Sequence, residues 1–339
     1  MESSTFRLAD RHAADGPVLI LFIDGVGLGP PATGNPFADL PLEGFRRLVN
    51  GPLVAGCARS EPGRSVCEAD ATLAIEGLPQ SATGQTALFT GVNAAQAVGR
   101  HVPAFPGPRL KSIIEREGLL ARARREGRTV ALANAFAPSY LRDVEAGRRR
   151  ASVTVHLARS AGVPLRSEAE LARDQAVTWD FQRDFFRRAV GSHVPPVPAE
   201  IAGRHLAAIA AAHDLTLYET FLTDLAGHGR VPISVVEAIG RVDAFLAGVL
   251  DGASERLTLV LCSDHGNVEE PEHGRHTRNP VPLVALGPLA HRFAGLRSIV
   301  ELAPAVLCAI GAADRRREQE PEWADAVTDP AVAAGAASS

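Results

Sequence analysis

Residues 17–29 read P-V-L-I-L-F-I-D-G-V-G-L-G. From Pro17 to Ile23 the run is apolar without alternation and has the length of one strand, the pattern of a strand buried on both faces of a parallel sheet. It stops at Asp24-Gly25, a turn pair. Working outward, strand-like runs recur at Val66–Ile75, Arg128–Ala133 (R-T-V-A-L-A), Leu215–Leu222, Arg256–Cys262 (R-L-T-L-V-L-C) and Val281–Leu286. Between them, apolar residues three and four apart predict helices over Leu42–Val49, Leu110–Glu126, Ile201–His213 and Val231–Leu250. Strands alternating with helices predict an α/β fold, a mostly parallel central sheet with helices on both faces.

A chain of 339 residues is long enough for one such core with an insert. The first part of the core is expected over 14–137 and the second over 198–313. Between them, 138–197 loses the pattern and reads as a small insert or lid of about 60 residues. The stretch 314–339 is charged and then rich in Ala, Ser and Gly, and is expected to be disordered.

Composition excludes several functions. A net charge of −4, with acids and bases mixed along the chain, argues against a nucleic-acid groove. The leader M-E-S-S-T-F-R-L-A-D-R-H-A-A-D-G lacks a signal-peptide core, and no later run reaches the roughly 20 apolar residues of a membrane span. The cytoplasm is therefore the expected location. Cys57, Cys67, Cys262 and Cys308 have no C-x-x-C spacing and read as reduced core thiols. Lys111 is the sole lysine, so neither a P-loop nor Schiff-base chemistry is indicated. Gly25, Gly27 and Gly29 follow the first strand, but a dinucleotide fingerprint would need glycine where Pro30 stands.

Three strand-like runs end in acids: Asp24, Asp224 and Asp264. In sheets of this kind, the carboxyl ends of strands carry the functional residues. One acid after a strand is commonly only a turn former or helix cap; three in one sheet point to a site. His228 completes D-x-x-x-H with Asp224, His265 adjoins Asp264, and His276 follows in H-T-R-N-P-V-P. Carboxylate and imidazole ligands suit Zn²⁺ or Mn²⁺. Ser81, in Q-S-A-T-G-Q-T, opens a predicted helix whose N-terminus favours an anion. Helix capping is the commoner task of such a serine, and Thr83 fits it too.

Taken in order, D-G-V-G-L-G, S-A-T-G, D-L-A-G-H, S-D-H-G-N and H-T-R-N-P-V-P, from Asp24 to Pro282, resemble the alkaline phosphatase superfamily. The nearest branch is that of cofactor-independent phosphoglycerate mutase and phosphopentomutase. The resemblance implies an alkaline-phosphatase-like core and two divalent ions, Mn²⁺ or Zn²⁺. One ion would be held by Asp24, Asp264, His265 and the Ser81 oxygen, the other by Asp224, His228 and His276. It also implies Ser81 as nucleophile, since Ser81 lies three residues before Gly84 as in the mutases, and a small phosphorylated substrate. Gln85 stands where the mutases have a histidine.

Hydrolysis of a phosphate ester through a phosphoserine is the favoured reading, because the insert is small beside the second domain of those mutases. The alternative is a phosphomutase acting on phosphoglycerate or a sugar phosphate; a phosphodiesterase or sulfatase comes after it. Thr83, His101, Arg142 and Arg278 are candidate substrate contacts, the arginines because a guanidinium fork matches phosphate. His273 reads either as a spare ligand or as part of an exposed turn. The sequence sets no oligomeric state.

Overall fold

A computed structural model describes residues 16–191 and 193–312. Most of the leader and the expected disordered stretch 314–339 lie outside the described residues. Seven strands form one sheet: β1 Val18–Ile23, β2 Arg59–Glu61, β3 Arg64–Ala69, β4 Val130–Leu132, β5 Leu215–Thr220, β6 Thr258–Cys262 and β7 Val281–Leu286. Their order is β2-β3-β7-β6-β1-β5-β4. The strands β6, β1, β5 and β4 are parallel neighbours, while β7 runs against both β6 and β3, and β2 runs against β3. Five of the seven strands therefore point one way, the mostly parallel α/β sheet expected from the sequence.

The helices are α1 Pro36–Asp39, α2 Glu43–Val49, α3 Ser81–Thr90, α4 Ala94–Val98, α5 Pro108–Glu117, α6 Leu119–Arg125 and α7 Pro138–Glu145. There follow α8 Val153–Ser160, α9 Glu168–Leu171, α10 Asp184–Val190, α11 Ala199–Ala211, α12 Leu222–Gly227, α13 Val235–Gly252 and α14 Leu302–Ala309. Alternate residues of β1 serve opposite layers. Val18, Ile20 and Phe22 pack with residues of α3, α5, α6, α8 and α14, whereas Leu19, Leu21 and Ile23 pack with those of α2, α11 and α13. This double burial is why β1 has no polar position.

Two expectations are corrected, and the extent of one strand is set. The helix read over Leu110–Glu126 is two helices, broken at Gly118, whose backbone leaves the helical region (φ −59°, ψ 129°) and where a Cβ would lie 2.5 Å from the Ile114 carbonyl oxygen and 2.9 Å from a Leu157 methyl. The strand expected within Val66–Ile75 is present and ends at Ala69, where Asp70 accepts from the Thr72 and Leu73 N–H groups and turns the chain. Cys57, Cys67 and Cys262 are buried free thiols, but Cys308 is exposed on α14. Within 138–197, α8 belongs to the main core, while α7, α9 and α10 surround two small apolar clusters of their own. No helix among the described residues is long and apolar enough to cross a membrane.

Candidate metal centre

The parallel strands β1, β5 and β6 deliver Asp24, Asp224 and the Asp264–His265 pair just beyond their carboxyl ends. α3, buried along its length, brings Ser81 to the same place. Its close approach needs Gly84, where a Cβ would stand 2.9 Å from both the Cβ and the carbonyl oxygen of Asp264.

Two groups of ligand atoms converge, Asp224 with His228 and His276, and Asp24 with Asp224 and His265, each within 4.8 Å. His228 Nε2 lies 3.0 Å from His276 Nε2. Each of these atoms also faces Asp224 Oδ1, at 3.3 and 3.4 Å. The Nδ1 atoms of the two rings point at the carbonyls of Gly274 (2.9 Å) and Pro79 (2.7 Å). A carbonyl only accepts, so each Nδ1 carries a proton, and in the neutral ring Nε2 presents a lone pair. Two lone pairs and a carboxylate oxygen aimed at one another form a set that a cation satisfies.

In the second group His265 Nε2 lies 3.3 Å from Asp24 Oδ1 and 3.6 Å from Asp264 Oδ2. Ser81 Oγ is 3.1 Å from the same nitrogen. Asp24 Oδ1 and Asp264 Oδ1 are buried without hydrogen-bond partners. Orphaned buried carboxylate oxygens are costly unless a cation or proton meets them. The residues present thus fit two divalent ions, with Asp224 lying between the two groups.

The electrostatics say the same. Burial, then the charges of Asp264 and Asp224, raise Asp24 well above the usual carboxylate range. Burial and the Asp224 charge push Asp264 up to about 7. Burial, aided by the neighbouring His276, drives His265 down to about 3. For His276, burial pulls downward but is outweighed by Asp224 and the Pro79 carbonyl, and its pKa rises. Burial opposes ionisation of Asp224 as well, yet the three imidazoles win and its pKa falls.

Several supporting residues escape sequence reasoning. Gln85 donates from Nε2 to Asp24 Oδ2 (3.3 Å) and Asp264 Oδ2 (3.2 Å), so the residue standing in the histidine position aligns the two carboxylates. Asn267 Nδ2 lies 3.5 Å from Asp224 Oδ1 and 3.3 Å from His228 Nε2. Glu269, only 1% exposed, accepts from the N–H groups of Gly27 (3.0 Å) and Asn267 (2.8 Å). Its other oxygen accepts from the Thr277 hydroxyl and, at 3.0 Å, from Asn279 Nδ2. One carboxylate thereby ties the loops after β1, β6 and His276 together. The glycines of D-G-V-G-L-G serve it, since a Cβ at Gly27 would come within 2.1 Å of Glu269. The only sequence signal for Glu269 is an acid two residues beyond S-D-H-G-N.

The four candidate substrate contacts lie elsewhere. Thr83 is fully buried, its hydroxyl donating to the Gln80 carbonyl and accepting from the Val102 N–H. The N–H groups of Ala82 and Thr83 both donate to the Val102 carbonyl, so the first turn of α3 does not hold them free for an anion. His101, Arg142 and Arg278 do not line the cavity of about 770 Å³ that opens beside Ser81. Burial pulls the His101 pKa down, and Arg142 and Arg278 are exposed. Arg149, Arg150, Arg230 and Arg275 line the cavity instead. His273 is exposed beside Glu270 and takes no part in either ligand group.

The family model of the Metalloenzyme superfamily matches residues 197–314. The 2,3-bisphosphoglycerate-independent phosphoglycerate mutase of Ruegeria pomeroyi is 30% identical over 120 residues, and that of Paracoccus denitrificans 32% over 123. Each match covers 33% of this chain and 24% of the relative, so the chain spans about a quarter of the length of the curated relatives it matches. Among solved structures, alkaline phosphatase from the Antarctic bacterium TAB5 superposes with a TM-score of 0.55 at 13% identity, covering 89% of this chain and 100% of that one. The PH0037 protein from Pyrococcus horikoshii gives 0.53 at 14% identity, covering 89% and 98%. At these identities the likeness is one of fold.

Proposed function

Because the chain belongs to the alkaline phosphatase superfamily of metalloenzymes, near its phosphoglycerate mutase branch, we propose that it transfers phosphoryl groups through Ser81 and releases them to water. The observation that carries the reading is the 3.1 Å separation of Ser81 Oγ from His265 Nε2, which sets a hydroxyl against the converging ligand atoms. Two divalent ions held by Asp24, Asp264, His265, Asp224, His228 and His276, either Mn²⁺ or Zn²⁺, supply positive charge that eases ionisation of a hydroxyl and offsets charge on phosphoryl oxygens.

Ser81 Oγ attacks phosphorus in line with the ester oxygen. The Oγ–P bond forms as the P–O bond to the leaving group breaks, and the hydroxyl proton passes by way of solvent to the departing oxygen, which leaves as the alcohol. Water then attacks the phosphoserine, releasing inorganic phosphate and restoring the hydroxyl. Gln85 bridges Asp24 and Asp264 and keeps them aligned beside the reacting oxygen, a positioning task. Hydrolysis is supported by the modest size of the 138–197 segment, part of which, α8, is packed into the core and unable to act as a closing domain.

The mutase reading keeps its place because the relatives named above are mutases. Metal-stripped protein reloaded with Mn²⁺ or Zn²⁺ and given phosphate monoesters tests both. Inorganic phosphate is expected; isomer interconversion without it would establish the mutase, and the absence of both would refute phosphoryl transfer on these esters.

A further inference from the structure

Resting on the phosphoryl-transfer reading, we propose that the substrate's leaving group is a bulky, mainly apolar alcohol rather than a small charged one such as glycerate. The cavity beside Ser81 holds about 770 Å³, the size of pockets that enclose drug-sized ligands. Much of its apolar wall comes from segments that follow β4 and β5, together with Trp179 and α10. Phe136 stacks on Tyr140 at 5.7 Å, and Trp179 stacks on Phe221 at 4.8 Å. Phe186 and Val190 on α10 continue the apolar surface.

Charge is sorted within this cavity. The four lining arginines are all exposed, with Arg149 and Arg150 lying over the Tyr140 and Phe105 rings at 5.6 and 5.9 Å. Apart from the metal-centre residues, the one buried acid or base in the lining among the described residues is Glu219, 3% exposed and hydrogen-bonded through Ser152. The inner wall therefore offers a substrate carboxylate hydrocarbon and another acid, which is unfavourable for an unpaired charge. An apolar alcohol would bury its surface against the same wall.

The test compares 2-(2-naphthyl)ethyl phosphate with ethyl phosphate and 3-phosphoglycerate on the metal-loaded full chain. The naphthylethyl and ethyl esters are both primary alkyl phosphates, so their difference reads the cavity rather than leaving-group acidity. A kcat/KM preference of about 100-fold for the naphthyl ester is expected from burial of one aromatic group, and Val190→Asp should narrow it at least about tenfold. Equal or better turnover of ethyl phosphate or phosphoglycerate would overturn the inference and leave phosphoryl transfer standing. If no ester turns over, that reading falls, and binding decides the inference separately. In Trp323→Phe protein, Trp179 is the sole tryptophan. Saturable quenching of its emission by naphthylethyl phosphonate, and not by methylphosphonate, supports the inference; absence of quenching overturns it.

Discussion

Replacing Glu269 by Gln keeps the volume of the side chain and removes one acceptor. Four donors converge on the native carboxylate: the N–H groups of Gly27 and Asn267 on one oxygen, and the Thr277 hydroxyl and Asn279 amide on the other. An amide has one oxygen: turned to keep the Gly27 and Asn267 N–H groups, it directs its NH₂ at Thr277 Oγ, which can accept, and at Asn279 Nδ2, a donor that then keeps only its bond to Glu270. At 1% exposure water has little access to repair this. Losing the charge and one accepting oxygen at this buried position costs about 1–3 kcal/mol, large for a near-isosteric change.

The assay is equilibrium unfolding in urea of metal-stripped protein, with the exposed neighbour Glu272→Gln as control, expected to stay within about 0.5 kcal/mol of the parent. Metal affinity should fall about tenfold or more in Glu269→Gln, because the loops carrying Asn267 and His276 lose their common anchor. A Glu269→Gln protein as stable as the control, with unchanged metal affinity, would refute the reasoning.

Gln85→Leu deprives Asp24 and Asp264 of their shared donor and should weaken metal binding about 10- to 100-fold, measured by titration against a competing chelator. Reloading metal at pH 6 should release at least about one proton, because burial holds Asp264 near 7 in metal-free protein and a ligand must be deprotonated; calorimetry in buffers of differing ionisation enthalpy reads this, and the release should shrink by pH 8. Burial pushes Glu219 up to about 7 from its ordinary 4.5, so the folded state binds the proton more tightly than the unfolded state. Its contribution to stability is therefore present below pH 4.5 and lost as pH rises to about 7, a change of up to about 3 kcal/mol that Glu219→Gln should abolish in urea titrations at several pH values.

The parts of the fold that were legible are those fixed by local burial. β1, β5 and β6 sit inside two helical layers, so their sequences are mainly apolar, wholly so in β1 and with buried Thr216, Glu219, Thr220 and Thr258 as exceptions in the other two, and the acid beyond each run marks where the sheet opens to the site. The convergence of Asp24, Asp224, Asp264, His228, His265 and His276 was legible for the same reason, since each follows such a strand or lies in a short loop beside it.

What escaped reading depends on tertiary neighbours. Nothing local says that Leu157 fills the space at Gly118, or that Gln85 will meet an aspartate 179 residues away. Arg142 and Arg149 are both arginines of the 138–197 segment, and only the packing of Tyr140 and the start of α8 puts one at the cavity and the other on the outside. Glu269 looks like a surface acid until three loops close over it.

The central claim is that Ser81 carries the phosphoryl group. The direct measurement is acid quenching of metal-loaded protein during turnover of a monoester, followed by peptide mass spectrometry, beside Ser81→Ala protein of equal metal content. A phosphate adduct on the peptide containing Ser81, with neither adduct nor turnover in Ser81→Ala, is predicted. Undiminished turnover by Ser81→Ala, or an adduct on another residue, would contradict it.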